Sequence, residues 1–429
     1  MISAVTRSHR LSRCALTRLL TITLGASLAA SLRAGTDWPQ FLGPNRDGTY
    51  PGKDLAADWP RGGPPVAWKR EVGQGFAGPA VADGKLVLFH RVGDKETVEC
   101  LDAKTGKPLW AADYPTGYKD DFGFDEGPRA TPAVADGKAY TFGAEGMLNG
   151  WDLATGRHLW RVDTRAQFRP AKGFFGAACS PLVEGEAVIL NVGGADGAGV
   201  VAFVRNTGKV RWKATDDAAG YASPVAATVG GRRVVLAFTR AALAAIDPGD
   251  GKVLFHFPWR SRMDASVNAA TPLVIDDLVF LSATYGAGAV LLRLDPKDLT
   301  KQPQKVWSGD ESLSNHYATS VHHDGFLYGY HGRQEDGPGL RCVELRTGKV
   351  RWSEDDFGAG TILLAGDRLL LLTEKGQLIQ APATPDGFKP AGKAQVLPFD
   401  TRAYPAVADG LLYARGKDKL VCADLRKAP

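Results

Sequence analysis

Asp102-Ala103-Lys104-Thr105-Gly106-Lys107-Pro108-Leu109-Trp110 decides the fold, because variants of this stretch return along the chain. Asp152-Leu153-Ala154-Thr155-Gly156 leads to Trp160, and Arg346-Thr347-Gly348-Lys349-Val350-Arg351-Trp352 keeps most of the pattern. The tryptophans closing the units fall at Trp110, Trp160, Trp212, Trp259, Trp307 and Trp352, about 45 to 52 residues apart, which is a propeller period. Backward from each tryptophan, apolar residues alternate in short runs, an Asp-Gly pair such as Asp83-Gly84 or Asp136-Gly137 marks a tight turn, and Thr-Gly marks a second. Period-two alternation broken by such turns predicts antiparallel meanders, one per unit.

A seventh unit runs from Gly360 through Leu372 to about Leu397 with its tryptophan replaced. An eighth opens at Tyr404-Pro405-Ala406-Val407-Ala408-Asp409-Gly410 and stops at Asp424-Leu425, before any closing strand. Pro65-Val66-Ala67-Trp68-Lys69-Arg70-Glu71-Val72 carries a tryptophan with no unit in front of it. The sequence therefore predicts an all-β chain: an eight-bladed β-propeller of four-stranded antiparallel blades, closed by the N-terminal strand completing the last blade. Closure of this kind leaves only short, protected edges. Three segments follow: 1–34 as a signal peptide, 35–64 as an N-terminal lead-in, and 65–429 as the propeller.

The signal peptide is read from five arginines without an acid in the first 34 residues, an apolar run from Leu19 to Leu32, and a small-residue end at Ala34. That run is short for a membrane span, and Cys14 precedes it, against a lipoprotein anchor. The expected place is the periplasm or the outside of the cell, with no transmembrane span. Removing those five arginines from 52 basic residues leaves 47 against 47 acidic ones. A near-neutral domain lacks the electrostatic footprint of a nucleic-acid binder. Cys100, Cys342 and Cys422 recur at one place in three units, too far apart to bridge, and read as small buried thiols, with Cys179 unpartnered.

The repeat at Asp102–Trp110 resembles the tryptophan-docking motif of the pyrroloquinoline quinone (PQQ) propeller superfamily, and Trp38-Pro39-Gln40-Phe41-Leu42-Gly43-Pro44-Asn45-Arg46-Asp47-Gly48 resembles the lead-in of secreted PQQ-like repeat proteins. The resemblance implies a structural docking role for Trp68, Trp110, Trp160, Trp212, Trp259, Trp307 and Trp352, each packing on the neighbouring blade with its indole N–H on a backbone acceptor. It also implies two functional classes. Quinoprotein alcohol dehydrogenases hold the quinone between a tryptophan and an adjacent-cysteine disulfide and bind calcium through Glu, Asn and Asp. Propellers similar to the outer-membrane assembly factor BamB are non-enzymatic and bind proteins. This sequence has no Cys-Cys pair. The expectation is thus a non-catalytic binding or scaffold propeller, a monomer without a cofactor, whose partner is an unknown protein or a small anionic ligand. The alternative is a PQQ- and calcium-dependent dehydrogenase with an atypical site.

Candidate site residues come from aligning the units just before each inner strand, at the rim of the funnel. One position holds Phe76, Arg129, Ala178, Tyr221, Ala269, Tyr317, Ala359 and Arg402; the preceding one includes Asn268 and His316. Phe76, Arg129, Tyr221, Asn268, His316, Tyr317 and Arg402 together would give aromatic walls with a few polar groups, the arginine forks favouring a planar anion. The same side chains can equally plug the channel and bind each other. No catalytic residue and no metal site is assigned. The acid runs Asp120-Asp121, Asp216-Asp217, Asp310-Glu311 and Asp355-Asp356 fit no calcium loop, and the histidines from His316 to His331 do not converge as zinc ligands. Arg232, Arg233, Arg240, Arg260 and Arg262 make the fourth unit locally basic, a surface suited to an acidic partner.

Overall fold

The computed structural model of the chain describes residues 36–264 and 266–426; the segment read as a signal peptide lies outside the described residues. Eight antiparallel four-stranded sheets succeed one another, the seventh extended by one short parallel strand. Blade 1 is Ala80–Ala82, Lys85–Val92, Lys95–Asp102 and Pro108–Pro115. Each later blade repeats this meander, with an inner strand of only three residues in blades 2, 3, 5, 6 and 8, and the one α-helix among the described residues is Thr164–Phe168.

Local chemistry explains the meander. The inner hairpins turn on pairs such as Asp83 and Gly84, whose φ values of 52° and 69° give the type I′ geometry that matches strand twist. The middle strands are buried on both faces, as in Leu86, Val87, Leu88 and Phe89, because blade packs on blade.

Ring closure is as predicted. Val66–Glu71 forms the outer strand of blade 8, with Trp68 opposite Cys422, Lys69 opposite Val421 and Arg70 opposite Leu420. Arg415, fully buried in the same blade, donates from Nη2 to Gly73 O at 2.7 Å and ties blade 8 to the chain entering blade 1.

Two girdles hold neighbouring blades in step. On the outside, indole N–H groups donate to the next blade: Trp68 to Ala103 O at 3.0 Å, Trp110 to Leu153 O at 2.8 Å, Trp160 to Arg205 O at 2.9 Å, Trp212 to Pro248 O at 3.0 Å, Trp307 to Leu345 O at 2.7 Å and Trp352 to Thr384 O at 2.8 Å. The ring of Trp160 lies so close over Gly208 that a Cβ there would meet it at 2.6 Å; the glycine of the Thr-Gly turn is needed for this approach as well as for its φ of 69°. On the inside, backbone N–H groups donate to hydroxyls of the next blade: Gly78 to Thr131 at 3.1 Å, Thr131 to Ser180 at 2.9 Å, Ser180 to Ser223 at 2.8 Å and Thr271 to Thr319 at 2.9 Å.

Trp259 corrects the docking assignment. Phe255, opposite Ala245, occupies the place that Trp110 holds opposite Cys100, and Trp259 lies beyond its strand, stacked 6.3 Å from Phe257 with its indole N–H unpartnered. Blade 5 offers Asp295-Pro296-Lys297-Asp298 where the turns of blades 1, 2, 3 and 6 offer Thr-Gly and that of blade 4 offers Gly249-Asp250-Gly251, so there is no glycine for an indole to cover. At blade 7, whose own tryptophan is replaced, Trp59 of the lead-in lies over Gly392.

The lead-in is built into the ring. Trp38 exchanges two 2.8 Å backbone bonds with Val81 in blade 1, Pro39 O accepts from Val134 N in blade 2 at 2.7 Å, and Thr49–Tyr50 pairs in parallel with Leu364 and Ala365 in blade 7. Between these, Arg46 is buried (2 % exposed) and donates to Ser180 O at 3.0 Å, Pro181 O at 2.8 Å and Gln40 Oε1 at 3.0 Å. Its burial lowers the guanidinium pKa to about 9. The segment thus crosses the channel on the Asp-Gly-turn side and gives the central tunnel a floor.

Truncating a docked core tryptophan, Trp160→Ala, is expected to cost about 3–5 kcal/mol in denaturant unfolding, whereas Trp259→Ala should cost less than about half as much. Equal losses in the two variants would contradict the reassignment.

Candidate functional site

Above this floor lies a cavity of about 210 Å³ on the ring axis. Its wall follows from strand parity. Phe76, Arg129, Ala178, Tyr221, Ala269, Tyr317 and Arg402 share one register position ahead of their inner strands, and all line the cavity, while Thr131, Ser180, Ser223 and Tyr404, two residues further on, line it one layer deeper. Phe41 of the lead-in and Tyr404 form its base, edge to face at 5.1 Å.

Of the seven residues expected at the rim, six come together: Phe76, Arg129, Tyr221, His316, Tyr317 and Arg402. Asn268 does not join them. It is 1 % exposed and its amide donates to Thr239 O at 2.8 Å and Trp259 O at 3.2 Å, bracing the backbone between blades 4 and 5, whereas His316 at the same position lines the cavity. Several lining residues escaped the sequence reading, among them four from loops off the repeat. Phe124 and Phe175 come from the long loops after blades 1 and 2, and Gln334 and Glu335 from the short 3-10 turn Gln334–Asp336. None of these lies on a period, and only the length of the loops could have pointed to them.

The two arginines are not equivalent. Arg129 donates to Gly127 O at 3.1 Å, Asp125 O at 3.0 Å and Asp120 Oδ2 at 2.9 Å, and the Asp120 side chain is fully buried. It therefore clamps the loop after blade 1. Arg402 lies between the rings of Phe76 and Phe124, 5.5 and 5.1 Å from their centroids. Both of its ion-pair contacts run through Nε, to Glu374 at 3.2 Å and Asp400 at 3.5 Å, and Nε itself makes no hydrogen bond. Glu374 also accepts from the Tyr317 hydroxyl at 2.7 Å. Burial is the main cause that raises the Glu374 pKa and lowers that of His316, whose Nε2 meets the Tyr285 hydroxyl at 3.1 Å.

A charge count tempers the anion expectation. Arg129 faces Asp120, Arg402 and Lys417 face Glu374 and Asp400, and Arg333 faces Glu335 and Asp336, so four cations stand among five carboxylates. A unit charge about 4 Å from another is worth roughly 4 kcal/mol at an effective dielectric of 20. The pull of each guanidinium on an entering anion is therefore offset by a push of similar size from the carboxylate beside it.

Around the mouth, Phe122, Phe124 and Phe174 are 55 %, 44 % and 37 % exposed; Phe399, three residues before Arg402 in sequence, is 70 % exposed. Phe122 touches both Phe124 and Phe174 at 6.1 Å and Phe175 at 5.4 Å. A larger groove of about 440 Å³ lies alongside, with glycine and alanine the commonest lining residues and Lys119, Arg165 and Lys172 already paired to Glu126, Glu145 and Asp121. The basic set in blade 4 is divided: Arg232 and Arg233 flank the inner hairpin, Arg233 paired with Glu184 at 2.7 Å, while Arg240 lines this groove.

The class defined by this geometry is an eight-bladed PQQ-like propeller with an aromatic funnel. The sequence pattern of the family described as outer membrane protein assembly factor BamB matches residues 94–354, and the chain belongs to that family. It is also 31 % identical over 154 residues to the quinohemoprotein alcohol dehydrogenase ADH-IIG of Pseudomonas putida; the match takes in 34 % of this chain and 21 % of that enzyme, so the chain spans about a fifth of it. Among solved structures, BamB from Moraxella catarrhalis superposes with TM-score 0.63 at 16 % identity, covering 84 % of this chain and 99 % of that one. The quinohemoprotein alcohol dehydrogenase of Comamonas testosteroni gives 0.64 at 16 % identity over 92 % of this chain and 81 % of that one. These two likenesses establish the fold.

A quinone with calcium does not fit the residues present. The chain has no adjacent cysteine pair, and Cys100, Cys179, Cys342 and Cys422 are each buried and unbridged, burial pushing the Cys179 thiol up to about 12. Among the described residues no three His, Cys, Asp or Glu side chains converge on one point, and Asp120 and Glu374 are committed to their arginines.

The asymmetry of the arginines is testable by unfolding. Arg129→Ala strands the buried Asp120 and should cost about 3–5 kcal/mol; Arg402→Ala, at a partly exposed pair, should cost about 1 kcal/mol or less. The reverse order would refute the assignment of clamp and rim.

Proposed function

We propose that this chain is an exported, non-catalytic binding propeller that presents its funnel face and the surrounding loops to a partner. The observation that carries the reading is the pairing of an aromatic-walled cavity with contiguous exposed phenylalanines at its mouth, Phe122, Phe124 and Phe174. Contiguous exposed apolar surface around a concave site marks interaction. Membership of the BamB family supports it, and so does the commitment of Asp120 and Glu374 to structural pairs, which leaves them poorly suited to proton transfer. Export rests on the N-terminal 34 residues; no described helix is long and apolar enough to cross a membrane.

The stretch shared with a quinohemoprotein alcohol dehydrogenase favours a second reading, a PQQ-dependent oxidoreductase with an atypical cofactor site. Calorimetric titration of the purified protein with PQQ, with and without calcium, followed by a dye-linked alcohol oxidation assay, separates the two. The binding reading expects no heat and no turnover; micromolar binding with turnover would replace it with the enzyme.

A further inference from the structure

We propose that the funnel is a site for a neutral polyhydroxyl ligand, a single sugar ring or the end of a saccharide chain, recognised by Arg402. The proposal rests on the binding reading above and gives it a ligand class.

Three observations carry it. First, the chemistry left free is a hydrogen-bond donor without net positive charge. With Nε directed at Glu374 and Asp400, the terminal amino groups of Arg402 are left for the cavity it lines, and the flanking carboxylates cancel the charge that would draw an anion. Secondly, Glu335 lines the same cavity and supplies acceptor oxygens, so the lining holds both donors and acceptors. Hydroxyl groups, each a donor and an acceptor, answer both, whereas a carboxylate or sulfate answers only the first. Thirdly, the remaining walls are aromatic. Phe76, Phe175 and Tyr221 surround the centre, Tyr404 and Phe41 close the base, and Tyr221 is held in place because its hydroxyl accepts from Phe175 N at 3.2 Å.

A pyranose has this division, with hydroxyls at its edge and a C–H face that packs on aromatic rings. The faces of Phe76 and Phe124 already carry Arg402, and Phe76 and Phe175 carry Arg129, so the rings left for the C–H face are Tyr221, Tyr404 and Phe41. A cationic guest would compete with these guanidiniums for the same rings, and is disfavoured on that ground.

The test is saturation-transfer NMR and calorimetry on the full chain with glucose, galactose, mannose, N-acetylglucosamine and their β-linked disaccharides, with glucuronate, choline and a hydrophobic amide for comparison. At least one neutral sugar should bind, glucuronate at least tenfold more weakly than glucose, and choline not at all. Arg402→Ala should weaken the sugar at least tenfold while leaving the unfolding midpoint close to that of the parent. Arg402→Lys, which keeps the charge and loses the planar fork, should weaken it nearly as much. Binding of none of the neutral sugars, tighter binding of glucuronate, preference for the amide, or full affinity in Arg402→Lys would each overturn the proposal. Failure here without PQQ binding leaves the propeller a protein-binding module; PQQ binding with turnover removes both readings together.

Discussion

An indole laid over the glycine of the next blade's turn is the contact on which the ring depends. Trp68, Trp110, Trp160, Trp212 and Trp307 each cover a glycine of the neighbour's outer turn and donate the N–H to a carbonyl there, so neither partner tolerates much change in shape, whereas Trp352 donates to Thr384 O of blade 7 without a glycine beneath it. The contact fixes the angle between blades from outside, and the hydroxyl girdle of Thr131, Ser180, Ser223 and Thr319 fixes it from inside. Where the glycine is missing, in blade 5, the tryptophan is missing from the docking place of blade 4 as well.

Closure has the same logic applied to the chain ends. Blade 8 takes its outer strand from Val66–Glu71, which brings Trp68 to dock on Ala103 and Gly106 of blade 1. The segment before it, from Trp38 to Tyr50, passes beneath the channel and touches blades on opposite sides of the ring. Its buried Arg46 satisfies backbone carbonyls of blade 3 that no strand reaches. One stretch of chain therefore latches the ring and closes one end of its tunnel, and the funnel is a blind site because of it. Binding at the open end and stability of the ring are coupled through this floor, since Phe41 and Tyr404 belong to both.

The fold was legible in the sequence because its determinants recur: the Asp-Gly turns, the Thr-Gly turns and the tryptophans each mark a fixed place in a repeating unit. Counting tryptophans alone misled at Trp259; counting eight residues on from Asp247, as Trp110 follows Asp102, arrives at Phe255. The rim was legible for the same reason, since Phe76, Arg129, Tyr221, Tyr317 and Arg402 occupy one register position. What escaped lies off the period. Phe124 and Phe175 swing in from loops of unequal length, and Phe41 reaches the base from a lead-in whose path across the ring leaves no trace in local pattern. The roles of Arg129 and Arg402 were also hidden, because they depend on Asp120 and Glu374, brought in by separate loops.

The central claim is that residues 36–72 both latch the ring and floor the funnel. Equilibrium unfolding of a chain beginning at Gly73, with and without a separate peptide spanning 36–72, tests it most directly. Loss of a single cooperative transition, restored when the peptide is added, is the result expected of a latched ring. An unchanged transition in the shortened chain would mean that the seven complete blades and the three remaining strands of the eighth close without the latch, and would contradict the account.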